Sequence, residues 1–309
     1  METSIGNSTC EHAELAASVL KGHIDTFIGR SDITSETSRV YKNALSLFVG
    51  WAEDMTVTTA IIKTYKTYLL NTGLAPTSVS VYLSAIKQFL SYLVEKGVML
   101  YNPAIEIKRP RVPRTHQRDA LTALAARQLL GSIQRDSLKG SRDYAVTNLM
   151  LRTGIREIEV SRALVGDVAE KEGERILELH GKGRDFKDSF VILTEEAYQP
   201  IADYLAMRPD ICPSSPLFAS AGNRSRGKLS TRAIRKVISS YMVKSGLKTK
   251  RITPHSLRHT AITFAIEGGN GNNLIQVQQM ARHVNISTTL GYFHEFQRLK
   301  NAAERCIKI

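Results

Sequence analysis

Cysteine is scarce in this chain of 309 residues, which has three of them, Cys10, Cys212 and Cys306. An odd number of widely separated cysteines provides no disulfide framework and no zinc-ligand spacing, as is typical of a protein kept in a reducing cytosol. No apolar run approaches the ~18 residues that a membrane-spanning helix needs, so a membrane span is excluded. The first residues also lack the basic and apolar regions of a secretory signal, and we therefore expect a cytoplasmic protein.

Acidic side chains are under-represented, with 29 Asp and Glu against 42 Lys and Arg, which gives a formal net charge of +13. A basic protein without a membrane segment often binds nucleic acid or another anionic surface. A well-solvated surface explains the net charge alone equally well. With 42% apolar and 23% charged residues, the chain is typical of a globular protein, and its length favours two domains.

The excess charge is unevenly distributed along the chain. Residues 1–107 carry 8 basic and 10 acidic side chains, residues 108–118 carry 5 basic and none acidic, and residues 119–309 carry 29 and 19. Prolines at 110 and 113 interrupt any helix in the middle stretch. We therefore expect two domains, over 1–107 and 119–309, joined by a basic linker over 108–118. The linker residues predicted to follow a DNA backbone are Lys108, Arg109, Arg111 and Arg114, with a solvated hinge as the alternative.

Apolar periodicity predicts a four-helix unit in the first part, with helices near 13–28, 40–51, 58–73 and 76–97. Three lysines of this unit, Lys63, Lys66 and Lys87, lie off the apolar stripes. They are candidate DNA contacts, although a solvated helix face is the more common explanation for any one of them.

The second part predicts helices near 122–135, 142–153, 195–207, 230–245, 255–267, 273–282 and 288–304. Residues 174–180 and 187–193 alternate as strands do around the turn Gly181-Lys182-Gly183, which indicates a hairpin. Residues 208–229, rich in Pro, Ser, Gly and Arg, are predicted as a loop. The expected fold class is mainly α with a small antiparallel β-sheet.

Four short sequences carry side chains suited to phosphate chemistry: 153–159 with Arg156, the turn with Lys182, 255–259 with His255 and Arg258, and 283–292 with His283 and Tyr292. Arginine binds phosphate oxygens with a planar fork, and histidine and lysine move protons near neutral pH. A tyrosine beside such groups becomes a nucleophile. The set describes covalent attack on a phosphodiester, and the lack of a carboxylate-rich cluster argues against a two-metal nuclease.

Each motif is weak by itself. His255 and His259 have the i, i+4 spacing of a metal site, but Ser256 stands where a zinc protease carries its glutamate. One tyrosine among 11 is more often a core residue than a nucleophile. It is the combination that favours the phosphodiester chemistry.

In order and spacing, this combination resembles the tyrosine recombinases (phage integrase family), a group that includes Xer recombinases and transposon integrases. Arg156 precedes Lys182 by 26 residues, Lys182 precedes His255 by 73, and Arg258, His283 and Tyr292 follow at intervals of 3, 25 and 9. The resemblance extends over about residues 12–300, nearly the whole chain. It implies that residues 1–107 form a helical core-binding (SAM-like) DNA-binding domain, and that residues 119–309 form a mixed α+β catalytic domain with a C-terminal tail.

The resemblance also implies roles for individual residues. Arg156 and Arg258 would clamp the scissile phosphate, and Tyr292 would attack it to form a 3′-phosphotyrosyl link. Lys182 would protonate the departing 5′ oxygen, while His255 would help to deprotonate the tyrosine.

Three further residues have implied roles in the same site. His283 would hydrogen-bond the phosphate, Glu159 would support the site by orienting an arginine or histidine, and His259 would be structural.

At the level of the whole reaction, the resemblance implies strand exchange at a specific double-stranded core site through a Holliday junction, with no metal, ATP or other cofactor. It implies a prokaryotic, nucleoid-associated homotetramer whose C-terminal tails are exchanged between protomers. Because the segment before the first helix is short, we expect a two-domain enzyme without an additional arm-binding domain.

The sequence departs from the family pattern at three places. Arg282 replaces the glycine that usually precedes the position of His283, the loop 268–273 is about two residues longer, and the small residue usual before Glu159 is missing.

The alternative functions are a type IB topoisomerase-like enzyme and a catalytically silent DNA-binding relative.

Overall fold

A computed structural model describes residues 16–30, 32–111, 119–180, 187–209, 211–220, 227–269, 271–300 and 302–307. The chain divides into two compact units, residues 1–114 and 115–309. The predicted linker at 108–118 stays a prediction, because residues 112–118 lie outside the described ranges. Within the described ranges, we find no helix that combines the length and the apolar character needed to span a bilayer.

The described part of the first unit contains the four predicted helices, α1 (Ala17–Ile28), α2 (Ser35–Ala52), α3 (Thr59–Asn71) and α4 (Pro76–Glu95). Local chemistry sets where they begin. The side chains of Thr34 and Thr58 accept hydrogen bonds from the backbone N–H groups at the starts of α2 and α3, and Pro76 occupies the first turn of α4. Helix α2 begins five residues earlier than predicted, since its first turn is polar and carries no apolar periodicity.

Aromatic side chains from all four helices form the core of this unit. Phe27, Phe48, Tyr65 and Phe89 are fully buried, and their rings lie 5.0–5.4 Å apart in the pairs Phe48–Tyr65 and Phe27–Phe89. Burial of such large side chains stabilises each helix far more than its intrinsic propensity does.

The second unit contains eight helices among its described residues: α5 (Ala123–Gly131), α6 (Leu138–Thr153), α7 (Glu157–Arg162), α8 (Glu195–Ala206), α9 (Thr231–Lys244), α10 (Ser256–Gly268), α11 (Leu274–Ala281) and α12 (Ile286–Lys300). Helix α6 is central, because it packs against α5, α8, α9 and α10 and is buried along most of its length. All seven predicted helices of this part are confirmed, with ends that differ by a few residues.

Three antiparallel strands, β1 (Val168–Lys171), β2 (Glu174–His180) and β3 (Lys187–Ile192), form a sheet in the order β1-β2-β3 within the described residues. The prediction missed β1, a four-residue edge strand that is half charged and therefore lacks an alternating pattern. The predicted turn Gly181-Lys182-Gly183 lies outside the described residues.

Helices α10, α11 and α12 pack on one another around a small apolar cluster of their own. It contains Ile262 and Ile266 of α10, Val277 and Ala281 of α11, and Tyr292 of α12. This cluster fixes three helix segments whose neighbouring polar residues lie beside the end of α6.

Candidate active site

The end of α6 lies close to the start of α10. Gly154 follows α6 with φ +62°, a left-handed conformation that favours glycine, and a β-carbon there would lie 3.4 Å from the Ala261 side chain. The Gly154 carbonyl oxygen accepts a hydrogen bond from Nη1 of Arg258. Two of the four predicted sequence motifs are therefore joined by a backbone contact.

Both predicted phosphate-binding arginines reach the end of α11. Arg258 is buried at 4% exposure, and its Nη2 donates to the carbonyl oxygen of Ala281. Nη2 of Arg156 lies 3.4 Å from the same oxygen and 3.1 Å from the carbonyl oxygen of Arg282. Burial, together with the charges of Arg156 and Arg282, lowers the pKa of Arg258 to about 9, so it remains protonated at neutral pH.

Glu159 lies between two guanidinium groups. Its Oε1 accepts from Nη1 of Arg156 at 2.8 Å, and its Oε2 accepts from the Arg156 backbone N–H and from Nη2 of Arg282, each also at 2.8 Å. Burial by itself would raise the pKa of the Glu159 carboxyl. The charges of Arg282 and Arg156 and the backbone hydrogen bond outweigh burial and hold that pKa below its ordinary value.

His283 follows α11 and is held by α12. Its Nδ1 lies 2.9 Å from Oγ1 of Thr289, which is fully buried. Burial, followed by the charges of Arg258, Arg156 and Arg282, lowers the pKa of His283 to about 4. The ring is therefore neutral at physiological pH. The site then has three positively charged arginines and one carboxylate, and this net positive charge suits an anionic ligand.

Tyr292 lies among histidine rings and is 8% exposed. Its ring centroid is 6.3 Å from that of His283, nearly parallel to it, and 5.1 Å from that of His259. His259 in turn contacts His255, with centroids 5.0 Å apart.

His255 itself is exposed at the start of α10. It lines a cleft of about 470 Å³ together with Glu157, Arg235, Ser239, Thr253 and Pro254. Thus seven predicted site residues come together in the second unit: Arg156, Glu159, His255, Arg258, His259, His283 and Tyr292. The eighth, Lys182, lies outside the described residues.

The predicted DNA-binding lysines have mixed surroundings. Nζ of Lys66 donates to the carbonyl oxygen of Lys108 at 2.8 Å, and Nζ of Lys87 donates to that of Ile105 at 2.7 Å. Lys63 and Arg109 are exposed, as is Arg111. Arg114 lies outside the described residues. Two of the lysines therefore hold the chain segment that leads to the linker.

Sequence reasoning missed two contacts of the site. Arg282 appears there as a departure from a family pattern, not as a partner of Glu159, and Thr289 does not appear at all. A signal for Thr289 exists, since a residue three positions before Tyr292 lies on the same helix face. Among the described residues, no group of three or more His, Cys, Asp or Glu side chains is placed to hold a metal ion.

Family models match both units of the chain. The phage integrase family matches residues 119–298, and the phage integrase N-terminal SAM-like domain matches residues 21–97. The chain belongs to the phage integrase family of tyrosine recombinases. The recombinase is 33% identical to tyrosine recombinase XerC of Haemophilus ducreyi over 229 residues, and these residues cover 74% of this chain and 71% of the relative.

A second relative is tyrosine recombinase XerC of Thermodesulfovibrio yellowstonii, 30% identical over 270 residues that cover 84% of this chain and 86% of the relative. Among solved structures, the XerH site-specific recombinase bound to palindromic difH substrate in a post-cleavage complex has a TM-score of 0.71. It is 18% identical and covers 93% of this chain and 84% of its own. The family and the two relatives make this protein an enzyme, a tyrosine recombinase, and the topoisomerase-like and catalytically silent alternatives are not favoured.

Proposed function

We propose that this recombinase cleaves and rejoins DNA at a specific core site, with Tyr292 as the nucleophile and a 3′-phosphotyrosyl enzyme as the intermediate. The observation that carries the proposal is the convergence of Arg156 and Arg258 on the Ala281 carbonyl oxygen, next to the Tyr292 and His283 rings. Two forks held at one point can bind the oxygens of a single phosphodiester.

The two arginines have hydrogen-bonding capacity to spare for a phosphate. Each guanidinium has five N–H groups. Arg258 donates hydrogen bonds from Nη1 and Nη2 to the backbone carbonyl oxygens of Gly154 and Ala281. Those bonds fix the plane of the fork before DNA binds. Such preorganised donors stabilise the charge that grows on the phosphate oxygens in a five-coordinate transition state.

The cleavage step needs no external reactant, because each bond that forms is matched by one that breaks. Oη of Tyr292 forms a bond to phosphorus, the bond from phosphorus to the 5′ oxygen breaks, and the phenolic proton passes to His255. Lys182 gives a proton to the departing 5′ oxygen. A 5′ hydroxyl from a second strand reverses these steps and releases the tyrosine, so the energy of the phosphodiester is conserved.

The neutral state of His283 suits it to hydrogen-bond a phosphate oxygen as a donor from Nε2, because Nδ1 is occupied by Thr289. Glu159 supports Arg156, and His259 packs against Tyr292. The partners in the full reaction are two double-stranded core sites and a homotetramer, in which the segment after α12, with Ile307 exposed, docks on a neighbouring protomer. An enzyme with this substrate acts on the DNA of the nucleoid.

The proposal is tested by trapping the covalent intermediate. The protein is incubated with sheared chromosomal DNA of its host in EDTA, the protein-linked fragments are isolated, and their sequences define the core site. A duplex with this site then carries a nick beside the cleavage point. After cleavage, the short fragment with the new 5′ hydroxyl diffuses away, and the covalent adduct cannot be reversed. We expect wild-type protein to accumulate an adduct and Tyr292→Phe to form none while binding the duplex with unchanged, salt-sensitive affinity.

An adduct formed by Tyr292→Phe would overturn the assignment of the nucleophile. A plasmid with two core sites separates recombination from simple strand passage. Recombinant products support the proposed function, whereas relaxation without recombinants supports a topoisomerase-like enzyme.

A further inference from the structure

Arg282 has an unusual backbone for its residue type. Its φ is +54°, in the left-handed region, and among the described residues it shares a positive φ with two other non-glycine residues, Glu53 and Glu172. The conformation is imposed by how α11 ends. The N–H of Arg282 bonds to the carbonyl oxygen of Gln279, and the N–H of His283 bonds to that of Gln278. This pattern of helix termination usually places glycine at the position of Arg282.

The side chain at this position is directed back into the site. It is 10% exposed, its Nη2 donates to Oε2 of Glu159 at 2.8 Å, and its Nη1 donates to the carbonyl oxygen of Met280. Its Nε lies 3.4 Å from the other Glu159 oxygen. A glycine would adopt the same turn without strain but would leave Oε2 of Glu159 without its cation.

Arg282 reaches Arg156 by two routes. Its own carbonyl oxygen accepts from Nη2 of Arg156 at 3.1 Å, and its guanidinium holds the carboxylate that accepts from Nη1 of Arg156 at 2.8 Å. Both terminal nitrogens of Arg156 are therefore held by groups that belong to Arg282 or are fixed by it. A carboxylate with 4% exposure needs such compensation, since one ion pair seldom offsets the desolvation of both charges.

We propose that Arg282 is a positioning residue of this site, which holds Arg156 in its phosphate-binding orientation through its ion pair with the Glu159 carboxylate. The role rests on the proposed function, since it concerns the group that would bind the scissile phosphate. Arg282 does not itself bind the DNA in this proposal. Its guanidinium is hydrogen-bonded to the Glu159 carboxylate and to the carbonyl oxygen of Met280.

The test uses Arg282→Gly, which keeps the left-handed turn and the carbonyl oxygen but removes the guanidinium. Glu172→Gly is the matched control, because it makes the same backbone change at another left-handed residue, an exposed turn between β1 and β2. Two quantities are measured on the nicked duplex: the affinity for the duplex, and the single-turnover rate of adduct formation at saturating protein.

We expect Arg282→Gly to form the adduct about 10- to 100-fold more slowly, because small misplacements of a catalytic group cost this much, with affinity changed less than about twofold. Glu172→Gly should match wild type in both quantities. Arg282→Lys should recover part of the rate, since it restores a cation beside Glu159. If Arg282→Gly does not fold, Arg282→Asn, which also tolerates the left-handed turn, takes its place.

A double-mutant cycle with Glu159→Gln tests whether the two residues act as one unit. Once Glu159 has lost its charge, adding Arg282→Gly should slow adduct formation by no more than about twofold further. Multiplied effects would mean that Arg282 acts independently of Glu159 and would overturn the proposal. Equal losses of rate and affinity would make it a DNA contact, and a wild-type rate for Arg282→Gly would leave it without a role.

These outcomes are distinct from failure of the proposed function. If wild-type protein forms no adduct on the duplex, Tyr292 chemistry is wrong and the positioning role falls with it. If wild type forms the adduct and the Arg282 variants match it, the proposed function stands and the role of Arg282 alone is rejected.

Discussion

The Nδ1 atom of His283 lies 2.9 Å from the hydroxyl oxygen of Thr289. His283 lies in the turn that joins α11 to α12, Thr289 lies in the first turn of α12, and the threonine is fully buried. Because the lowered pKa of His283 keeps its ring neutral, the ring exists in one of two tautomers, and the partner of Nδ1 decides which. A threonine hydroxyl that donates to Nδ1 leaves the proton on Nε2, the nitrogen proposed to face the phosphate.

The first prediction follows from this contact. Thr289→Val keeps the volume of the side chain but removes the hydroxyl, so the tautomer and the ring plane of His283 are no longer fixed. We expect adduct formation on the nicked duplex to slow by about tenfold. Thr289→Ser should retain most of the rate. Thr147→Val is the matched control, since Thr147 is also fully buried but bonds within α6 to the Asp143 carbonyl. Equal rates for Thr289→Val and wild type would refute the role.

The second prediction concerns the stability of the protein in acid. The folded-state pKa of His283 is about 4 against an ordinary value of 6.5. Between these values the unfolded chain binds a proton that the folded chain does not, so the free energy of unfolding falls as the pH drops from about 6.5 towards 4. At pH 5 the loss amounts to roughly 2 kcal/mol relative to neutral pH.

This pH dependence is measured by urea unfolding of wild type and His283→Asn at pH 5 and pH 7.5. The variant should lose less stability than wild type on acidification. His294→Asn, at an exposed histidine of α12, should behave as wild type does. An acid sensitivity that persists unchanged in His283→Asn would contradict the buried neutral state of this ring.

The third prediction concerns the buried carboxylate. Glu159→Gln removes the negative charge from between Arg156 and Arg282, and the buried Arg282 then lacks its counter-charge. We expect the free energy of unfolding to fall by about 3 kcal/mol. The lowered pKa of Glu159 sets the pH range of this effect. The stabilisation of the fold by the ionised carboxylate is fully present above the ordinary pKa of a glutamate, and it is lost as the pH falls through the lower pKa of the folded state.

Glu157→Gln is the control for this experiment, since Glu157 lies in the same helix and pairs with Arg235. The Glu157 side chain is 12% exposed but that of Arg235 is 64% exposed, so the cation left behind is solvated and the control should lose no more than about 1 kcal/mol. The double variant Glu159→Gln with Arg282→Gly should be more stable than Glu159→Gln alone, because it removes the uncompensated cation. Similar losses for the two glutamates would speak against a buried ion-pair network.

The fourth prediction separates two kinds of lysine in the first unit. Lys66 and Lys87 donate to the backbone of residues 105–108, so Lys66→Met and Lys87→Met should loosen this segment. We expect faster cleavage by trypsin after Lys108 in both variants; the bond after Arg109 is not a trypsin site, because Pro110 follows it. Lys63→Met, at an exposed position, should leave that cleavage rate unchanged and weaken DNA binding with a smaller salt dependence. Equal trypsin sensitivity of all three variants would contradict the role of Lys66 and Lys87 in holding the segment.

Local patterns predicted the helices well, because their signals lie within a few turns of chain. Apolar residues at helical spacing, threonine and serine caps and Pro76 mark most helices without reference to the fold. Strand β1 was not predicted, because its four residues, two of them charged, show too little alternation of apolar and polar side chains. The order and spacing of the arginine, lysine, histidine and tyrosine motifs also sufficed to indicate the family, although the roles of these residues stay predictions.

The sequence by itself determined the helices, the family and the set of side chains available for phosphate chemistry. The tertiary structure alone decided how those side chains are held. Arg282 meets Glu159 across 123 positions of the chain, and Arg156 and Arg258 share the carbonyl oxygen of Ala281. These contacts depend on the packing of α10, α11 and α12 beside the end of α6. Hydrogen bonds and ion pairs act over a few ångströms in space, whereas sequence patterns record neighbours along the chain.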